Sequence, residues 1–251
     1  MKRNLDTVSS GSIDRINRLG RRTRLIYGAF SIRACKSLNW QTFLYYFRWM
    51  TVKSFGFVCI AAIFISLALT FECVYELRKF EAQVYSGAFI VTGLLREIGP
   101  LTISLTWCTC VAALISEEVR ERLIEGALDK ELSTDYLPTR LLAAMAASVP
   151  LSAYGMVTGF ITAAMAAPLF GVSSVPSFLN SAREAIEVVD LSVYFVKLIL
   201  VNPTIAIFSA FFAGIHSFKF NSPASARAVT MTVLAATVAN FLITYIAFSH
   251  R

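Results

Sequence analysis

Charge is what this 251-residue chain has least of: 16% of its residues are Asp, Glu, Lys or Arg, where soluble domains average about a quarter. Histidine is nearly absent, with only His216 and His250. No nucleophile, base and orienting residue can be assembled from so few candidates, which argues against hydrolytic catalysis and leaves no catalytic residue to name. The chain also lacks a G-x-x-x-x-G-K-[ST] phosphate loop, because Lys36-Ser37 and Lys53-Ser54 have no preceding glycines. Any ATP that drives this protein must be bound by another polypeptide. Cysteines are few and scattered (Cys35, Cys59, Cys73, Cys108, Cys110), and they read as small apolar fillers rather than a disulfide framework. Cys108 and Cys110, two apart, point to different sides of a helix, so no metal site is expected.

What replaces charge is apolar length. Hydrophobic residues make up 56% of the chain, 20 of them Phe, and the mean hydropathy is +0.63. Residues 54–71, 98–116, 141–182 and 228–249 contain no Asp, Glu, Lys or Arg, and 191–218 is interrupted only by Lys197. About 20 apolar residues in a helix cross a bilayer core. The fold class is therefore an all-α integral membrane protein of about five transmembrane helices, with N-terminal interfacial helices. The division expected is a basic, amphipathic interfacial region at 1–53 and a transmembrane domain at 54–249, with a charged segment at 117–140 between its spans.

Residues 1–53 carry eleven Lys/Arg against Asp6 and Asp14, and their end is crowded with aromatics in "WQTFLYYFRWM". This suits helices lying on an anionic cytoplasmic leaflet. The basic run leads directly into a span and has no recognisable nucleic-acid fold, so no nucleic-acid partner is expected. No compact apolar core with a small-residue cleavage site marks a leader peptide there. With the N-terminus in the cytoplasm, five spans put seventeen of the 23 Lys/Arg inside, as the positive-inside rule requires.

The second apolar stretch, Ala82 to Ser116, is too long for one span: as a single helix it would run roughly 52 Å, against a core of about 30 Å. A break is expected at Gly99-Pro100, since proline removes a backbone donor and restricts its predecessor. Just before it stand Arg96 and Glu97. Lys197 is the other charge set in apolar sequence. Intramembrane charges face a partner or a cavity, which suggests Glu97 paired with Lys197 across helices and Arg96 left to the interface or to a lipid phosphate. The competing reading has Arg96-Glu97 capping a re-entrant turn at the outer surface.

Residues 117–132 have helical periodicity. Val119, Leu123, Ala127, Leu128 and Leu132 form an apolar stripe with Glu117, Glu121, Glu125 and Asp129 largely off it, and Glu118 precedes Arg122 by four. The segment reads either as a solvated juxtamembrane helix or as a docking helix for a cytoplasmic partner. The third span carries Gly155-x-x-x-Gly159, extended by Ala143, Ala147, Ala163 and Ala167. Small residues so spaced let helices pack closely, within one subunit or across a dimer. A Pro/Gly/Ser-rich loop is expected around 168–190.

The stretch Leu95-Arg96-Glu97-Ile98-Gly99-Pro100, followed by an uncharged span, an acidic segment and three further spans, resembles the MlaE/YrbE family, permease subunits of MCE-type ABC lipid transporters. The resemblance covers about residues 40–248. Its other matches are Glu118 entering the coupling segment, Pro138 and Arg140 leading into the third span, Lys197 in the fourth, and Arg227-Ala228 opening the fifth. Cys108-Thr109-Cys110-Val111-Ala112 stands where the family usually has a Gly/Arg-containing stretch, and "NSPASA" replaces a glycine-rich loop, so the chain looks like a divergent member.

The resemblance implies a permease in the bacterial inner membrane that moves phospholipid or a similar lipid and serves lipid trafficking and outer-membrane lipid asymmetry. It implies a second permease copy (identical or paralogous), a cytoplasmic ABC ATPase holding the ATP and Mg²⁺, and a periplasmic MCE-domain lipid-binding protein. Arg96, Glu97 and Lys197 become lipid-path candidates. The domain at 54–249 becomes a permease domain with 117–140 as its cytoplasmic coupling segment and coupling helix, and Glu118, Arg122, Leu123, Leu128, Pro138 and Arg140 become candidates for ATPase coupling. Two other readings stand beside it: an ion-coupled secondary transporter using Glu97 as proton carrier, and a non-transporting structural subunit of the assembly.

Overall fold

A computed structural model describes residues 39–126, 136–172, 174–220 and 222–249. Within them the chain is helical. α1 runs Trp40–Arg78, α2 Ser86–Arg96, α3 Ile98–Ile124, α4 Leu137–Phe170, α5 Val175–Ala185 and α6 Val188–Phe195. A π-helical segment, Val196–Val201, joins α6 to α7 (Asn202–Phe220), and α8 covers Ala224–Phe248. Five helical stretches among the described residues are long and apolar enough to cross a membrane: α1, α3, α4, α6 through α7, and α8. The protein is an all-α, multi-pass membrane protein.

α1 begins at Asn39, whose side-chain oxygen accepts from the amides of Gln41 and Thr42, a regular N-cap. Its 39 residues extend about 58 Å, so the first span and the aromatic segment before it form one rod. The expected boundary between residues 53 and 54 falls inside that rod. A break there would have needed a helix-stopping residue, and "MTVKSFG" contains none until Gly56, which the helix tolerates. The expected interfacial helices before residue 39 lie outside the described residues.

α1 buries Met50, Ser54, Val58, Ala62, Ser66, Thr70 and Val74, one residue in four, and α4 packs along that stripe. The facing stripe of α4 is the small-residue row. A side chain at Gly155 would strike Val58 and Ile103, and one at Gly159 would strike Ser66. The Gly155/Gly159 motif thus packs helices within one chain. α4 ends at Gly171, whose φ of 116° suits a residue without Cβ. α3 and α7 form the centre of the bundle with α8 against them. α8 buries little beyond Ala224, Ala228, Thr232, Ala236 and Asn240, leaving Leu234, Phe241, Tyr245 and Ile246 exposed.

Two expectations need correction. The stretch 168–190 is not a loop: it contains α5, which folds back over α2. Ser174 caps α5 by accepting from the Ser177 amide, and Phe178 and Ala182 are buried. α2 and α5 approach backbone to backbone at Gly87, where a side chain would run into Phe178's carbonyl. The start of the coupling segment is not a separate helix either. Residues 117–124 continue α3, because nothing between Ser116 and Ile124 interrupts the helix.

Candidate functional site

The over-long apolar stretch does divide in two, but the break falls at Glu97, before Gly99-Pro100. Glu97 has φ −128° and ψ −62° and lies between α2 and α3. Proline is at home in the first turn of the following helix, where its missing N–H has no partner to lose. Pro100 occupies that turn. Gly99 is required for a different reason: any side chain there would collide with the carbonyl of Leu94.

In an unbroken helix the nitrogen of Pro100 would face the carbonyl oxygen of Arg96, four residues back. Proline has no hydrogen to donate, so that oxygen needs another partner. Lys197 supplies it, donating from Nζ at 2.6 Å. The same ammonium donates to Thr244 Oγ1 of α8, whose hydroxyl also lies 3.4 Å from the Arg96 oxygen. Lys197 is completely buried and sits in the π-helical segment, a distortion frequent at functional sites. Pro203 lies just beyond it, and its ring and missing donor favour a widened turn there.

The structure brings Glu97 and Lys197 together, with Glu97 Oε1 3.7 Å from Lys197 Nζ and the Glu97 side chain 41% exposed. Arg96 behaves otherwise than expected. It pairs with Asp190 of α6, Nε to Oδ1 at 2.7 Å and Nη2 to Oδ2 at 3.4 Å, while its guanidinium covers the Phe248 ring at 4.3 Å. Asp190 is 1% exposed and also accepts from the Glu187 amide as part of the capping box of α6. A buried carboxylate holds a guanidinium more firmly than a wet interface does, which is why Arg96 turns inward. Sequence reasoning missed Asp190. The signal was there: it is the last acid before the nearly uncharged fourth span. Four charges, two of each sign, therefore meet where α2, α3, α6 and α8 converge.

A second polar group continues from it toward the bundle centre. Ser104 Oγ donates to the Pro100 carbonyl and accepts from Asn202 Nδ2. Asn240 Nδ2 donates to Asn202 Oδ1 at 2.9 Å and to Ala236's carbonyl at 2.7 Å. All three side chains are buried, and together they tie α3, α7 and α8. Apolar periodicity carries no trace of them, because single Asn and Ser residues within spans leave the hydrophobic run intact.

At the opposite end of the bundle, where α1 begins, the proposed coupling residues divide. Glu118 Oε1 accepts from Tyr46 Oη at 2.7 Å and from Arg140 Nη2 at 2.8 Å, and Arg140 also donates to Tyr46 Oη at 2.7 Å. Arg122 adds a 3.4 Å ion pair to the same carboxylate. The Arg140 guanidinium is stacked between the rings of Tyr136 (3.4 Å) and Tyr46 (4.2 Å). Burial, with Glu118 close by, pushes the Tyr136 phenol far above its ordinary range. Arg140, Pro138 and Leu123 are buried, as is Val119, which packs against Gly214 of α7. The Glu118–Arg140–Tyr46 network binds α1, α3 and α4 to one another, while Arg122 stays 46% exposed. The exposed end of α3 is formed by Glu121, Arg122, Ile124 and Glu125. Leu128 lies outside the described residues.

Among the described residues no group of three His, Cys, Asp and Glu converges as a metal site, and Cys59, Cys73, Cys108 and Cys110 are free thiols. Compared with known proteins, the chain matches the family model described as "Permease MlaE" over residues 43–248. No curated protein matches it significantly.

Proposed function

From the premise that this chain belongs to the MlaE permease family, we propose that it is the permease of a transporter that extracts or inserts phospholipid-like amphiphiles, driven by separate ABC ATPase subunits. The family supports an ABC-type permease subunit for lipid transport, a transport component rather than an enzyme. The finer reading adds a second permease copy, a cytoplasmic ATPase at the exposed end of α3, and an MCE-domain lipid carrier on the other side. It puts the protein in a bacterial inner membrane with residue 1 in the cytoplasm.

One observation carries this reading beyond the family: the cluster Arg96, Glu97, Asp190 and Lys197 is set among apolar helices. An amphiphile needs both environments, apolar walls for its chains and fixed charge for its head group. Arg96, 32% exposed, is the cation with a free edge for a phosphate oxygen. Lys197 is fully engaged and serves to hold the half-helix α2 in place. α3 joins the two ends of the bundle. Its 27 residues run about 40 Å, and the 21 steps from Glu97 to Glu118 carry it about 32 Å from the charged cluster to the Glu118–Arg140–Tyr46 network. A push on its exposed end would therefore move α1 and α4 with it as a body and reach the break at Glu97. In this reading ATP and Mg²⁺ belong to the partner.

Purification of the chain from native membranes tests the proposal. The expected result is a stoichiometric ATPase and an MCE-domain protein, with ATP hydrolysis stimulated by phospholipid. A chain that purifies with no ATPase overturns it.

A further inference from the structure

A cavity of about 350 Å³ lies inside the single chain, between α1, the half-helix α2, α3, α4 and α6. Its wall includes Ala62, Leu95, Thr102, Met156, Gly159 and Leu191. We propose that it holds one acyl chain of a membrane lipid, inserted sideways from the bilayer.

Three observations lead there. The lining is almost entirely carbon. Tyr194 also lines it, but its hydroxyl is already committed to the Ser152 carbonyl at 3.0 Å. Ser66 lines the cavity too, fully buried and with no hydrogen-bond partner. The other hydroxyl in the lining is that of Thr102, on α3; a water molecule needs two to four partners in a polar site, and this wall is apolar.

Its size is more than twice the roughly 150 Å³ at which an apolar cavity already takes up benzene. An empty void of that size forfeits the contacts its lining atoms would otherwise make.

Its wall is continuous with the outer surface of the bundle. Val157, Ile161 and Ile186 line it and are 49%, 52% and 37% exposed. A solute could therefore enter from the bilayer without passing through water.

In a bilayer the abundant apolar solute is the acyl chain itself. Its flexible methylenes suit a cavity bordered by Gly155, Gly159 and aliphatic side chains, and no counter-charge is needed. The hydrophobic effect does not drive occupancy, since the chain leaves one apolar medium for another; filling of the void does. Because Leu94, Leu95 and Gly99 form one side, an occupant also wedges the α2–α3 break. The inference does not depend on transport or on any ATPase.

Photolabelling tests it. The full chain, extracted with whatever partners accompany it, is placed without nucleotide in nanodiscs of phosphatidylethanolamine and phosphatidylglycerol. The discs are doped with a phosphatidylcholine bearing a diazirine near one acyl terminus, and labelled peptides are mapped by mass spectrometry. The expected labels fall on cavity residues such as Met156 and Leu95, as well as on the exposed α1 face at Phe57 and Phe64. Thr102→Phe, which fills the cavity from a half-buried position, is expected to lower the cavity label about tenfold, the change that about 1.4 kcal/mol of lost binding produces, with the α1 label retained. Ser66→Leu serves as a second filling variant, and thermal melts identify any variant that fails to fold. Labels confined to the exposed faces, or a cavity label that survives both fillings in folded protein, overturn the proposal. Failure to find an ATPase leaves this result unaffected.

Discussion

Lys197 Nζ donates to the carbonyl oxygen of Arg96 at 2.6 Å, taking the place that the nitrogen of Pro100 cannot fill. A proline in α3 thus withholds a donor that a lysine 97 residues later supplies to the same backbone atom. Inside a membrane that atom has no water to turn to.

This relationship gives a two-step test. Lys197→Met should leave the Arg96 oxygen with only the long 3.4 Å contact from Thr244 Oγ1 and Glu97 without its neighbour, lowering stability by about 1–3 kcal/mol. Pro100→Ala supplies an N–H that would meet the same oxygen once the helix closes across Glu97. Added to Lys197→Met, it should recover part of the lost stability in thermal melts of nanodisc-embedded protein. If the double variant melts no higher than Lys197→Met alone, the proline and the lysine do not share that acceptor.

Asp190 holds Arg96 and caps α6 at once. Asp190→Ala should cost about 3 kcal/mol, near the low end for breaking a buried pair because Arg96 keeps an exposed edge. Asp190→Asn keeps a hydrogen-bond acceptor and should cost less. Melting temperatures of the two variants check the order. A smaller loss for the alanine variant would mean that the pair adds little.

Arg140 is stacked as well as paired, and lysine offers neither a planar fork nor a stacking face. Arg140→Lys should therefore destabilise the protein nearly as much as Arg140→Met. Glu118→Gln combined with Arg140→Met should be clearly less than additive. A double-mutant cycle on melting temperature reads both outcomes, and additive losses would dissolve the network. Tyr46→Phe removes one donor and one acceptor from the same network, so its effect should fall below that of either charge variant.

Gly99→Ala is a small change with a large expected effect. The new methyl meets the Leu94 carbonyl, which is backbone and cannot step aside. A loss of more than about 2 kcal/mol, seen as poor recovery of folded protein from membranes, is expected. Gly56→Ala, in open space on α1, is the matched control and should fold at least as well as the parent chain.

Much of the architecture was legible without coordinates. Uncharged runs marked all five spans, because a helix facing lipid cannot carry free charge. The 35-residue stretch announced a break through length alone. Its position shifted by two residues, from Gly99-Pro100 to Glu97, because a proline disturbs the turn before it and fits comfortably in the first turn of a new helix. The site was legible in part. Arg96, Glu97 and Lys197 stood out as charges in apolar surroundings, and Glu97 does lie beside Lys197. Arg96 went to Asp190 instead, a residue at a helix start whose charge looked like that of an ordinary loop. The amphipathic stripe was harder to read. Val119 looks the same whether it meets a partner or the chain's own α7, and here it packs against Gly214 of α7.

By itself, then, the sequence determined what each segment can tolerate: which stretches enter a membrane, where helices must stop, and which charges need company. Those demands are local, set by the solvation of side chains and by the backbone donors available within one turn. Partner choice was decided by the tertiary structure alone. Lys197 and Thr244 reach the Arg96 carbonyl from 101 and 148 residues away, and Asp190 reaches the guanidinium from 94. Such contacts depend on which helices lie side by side, and close packing along small-residue faces settled that.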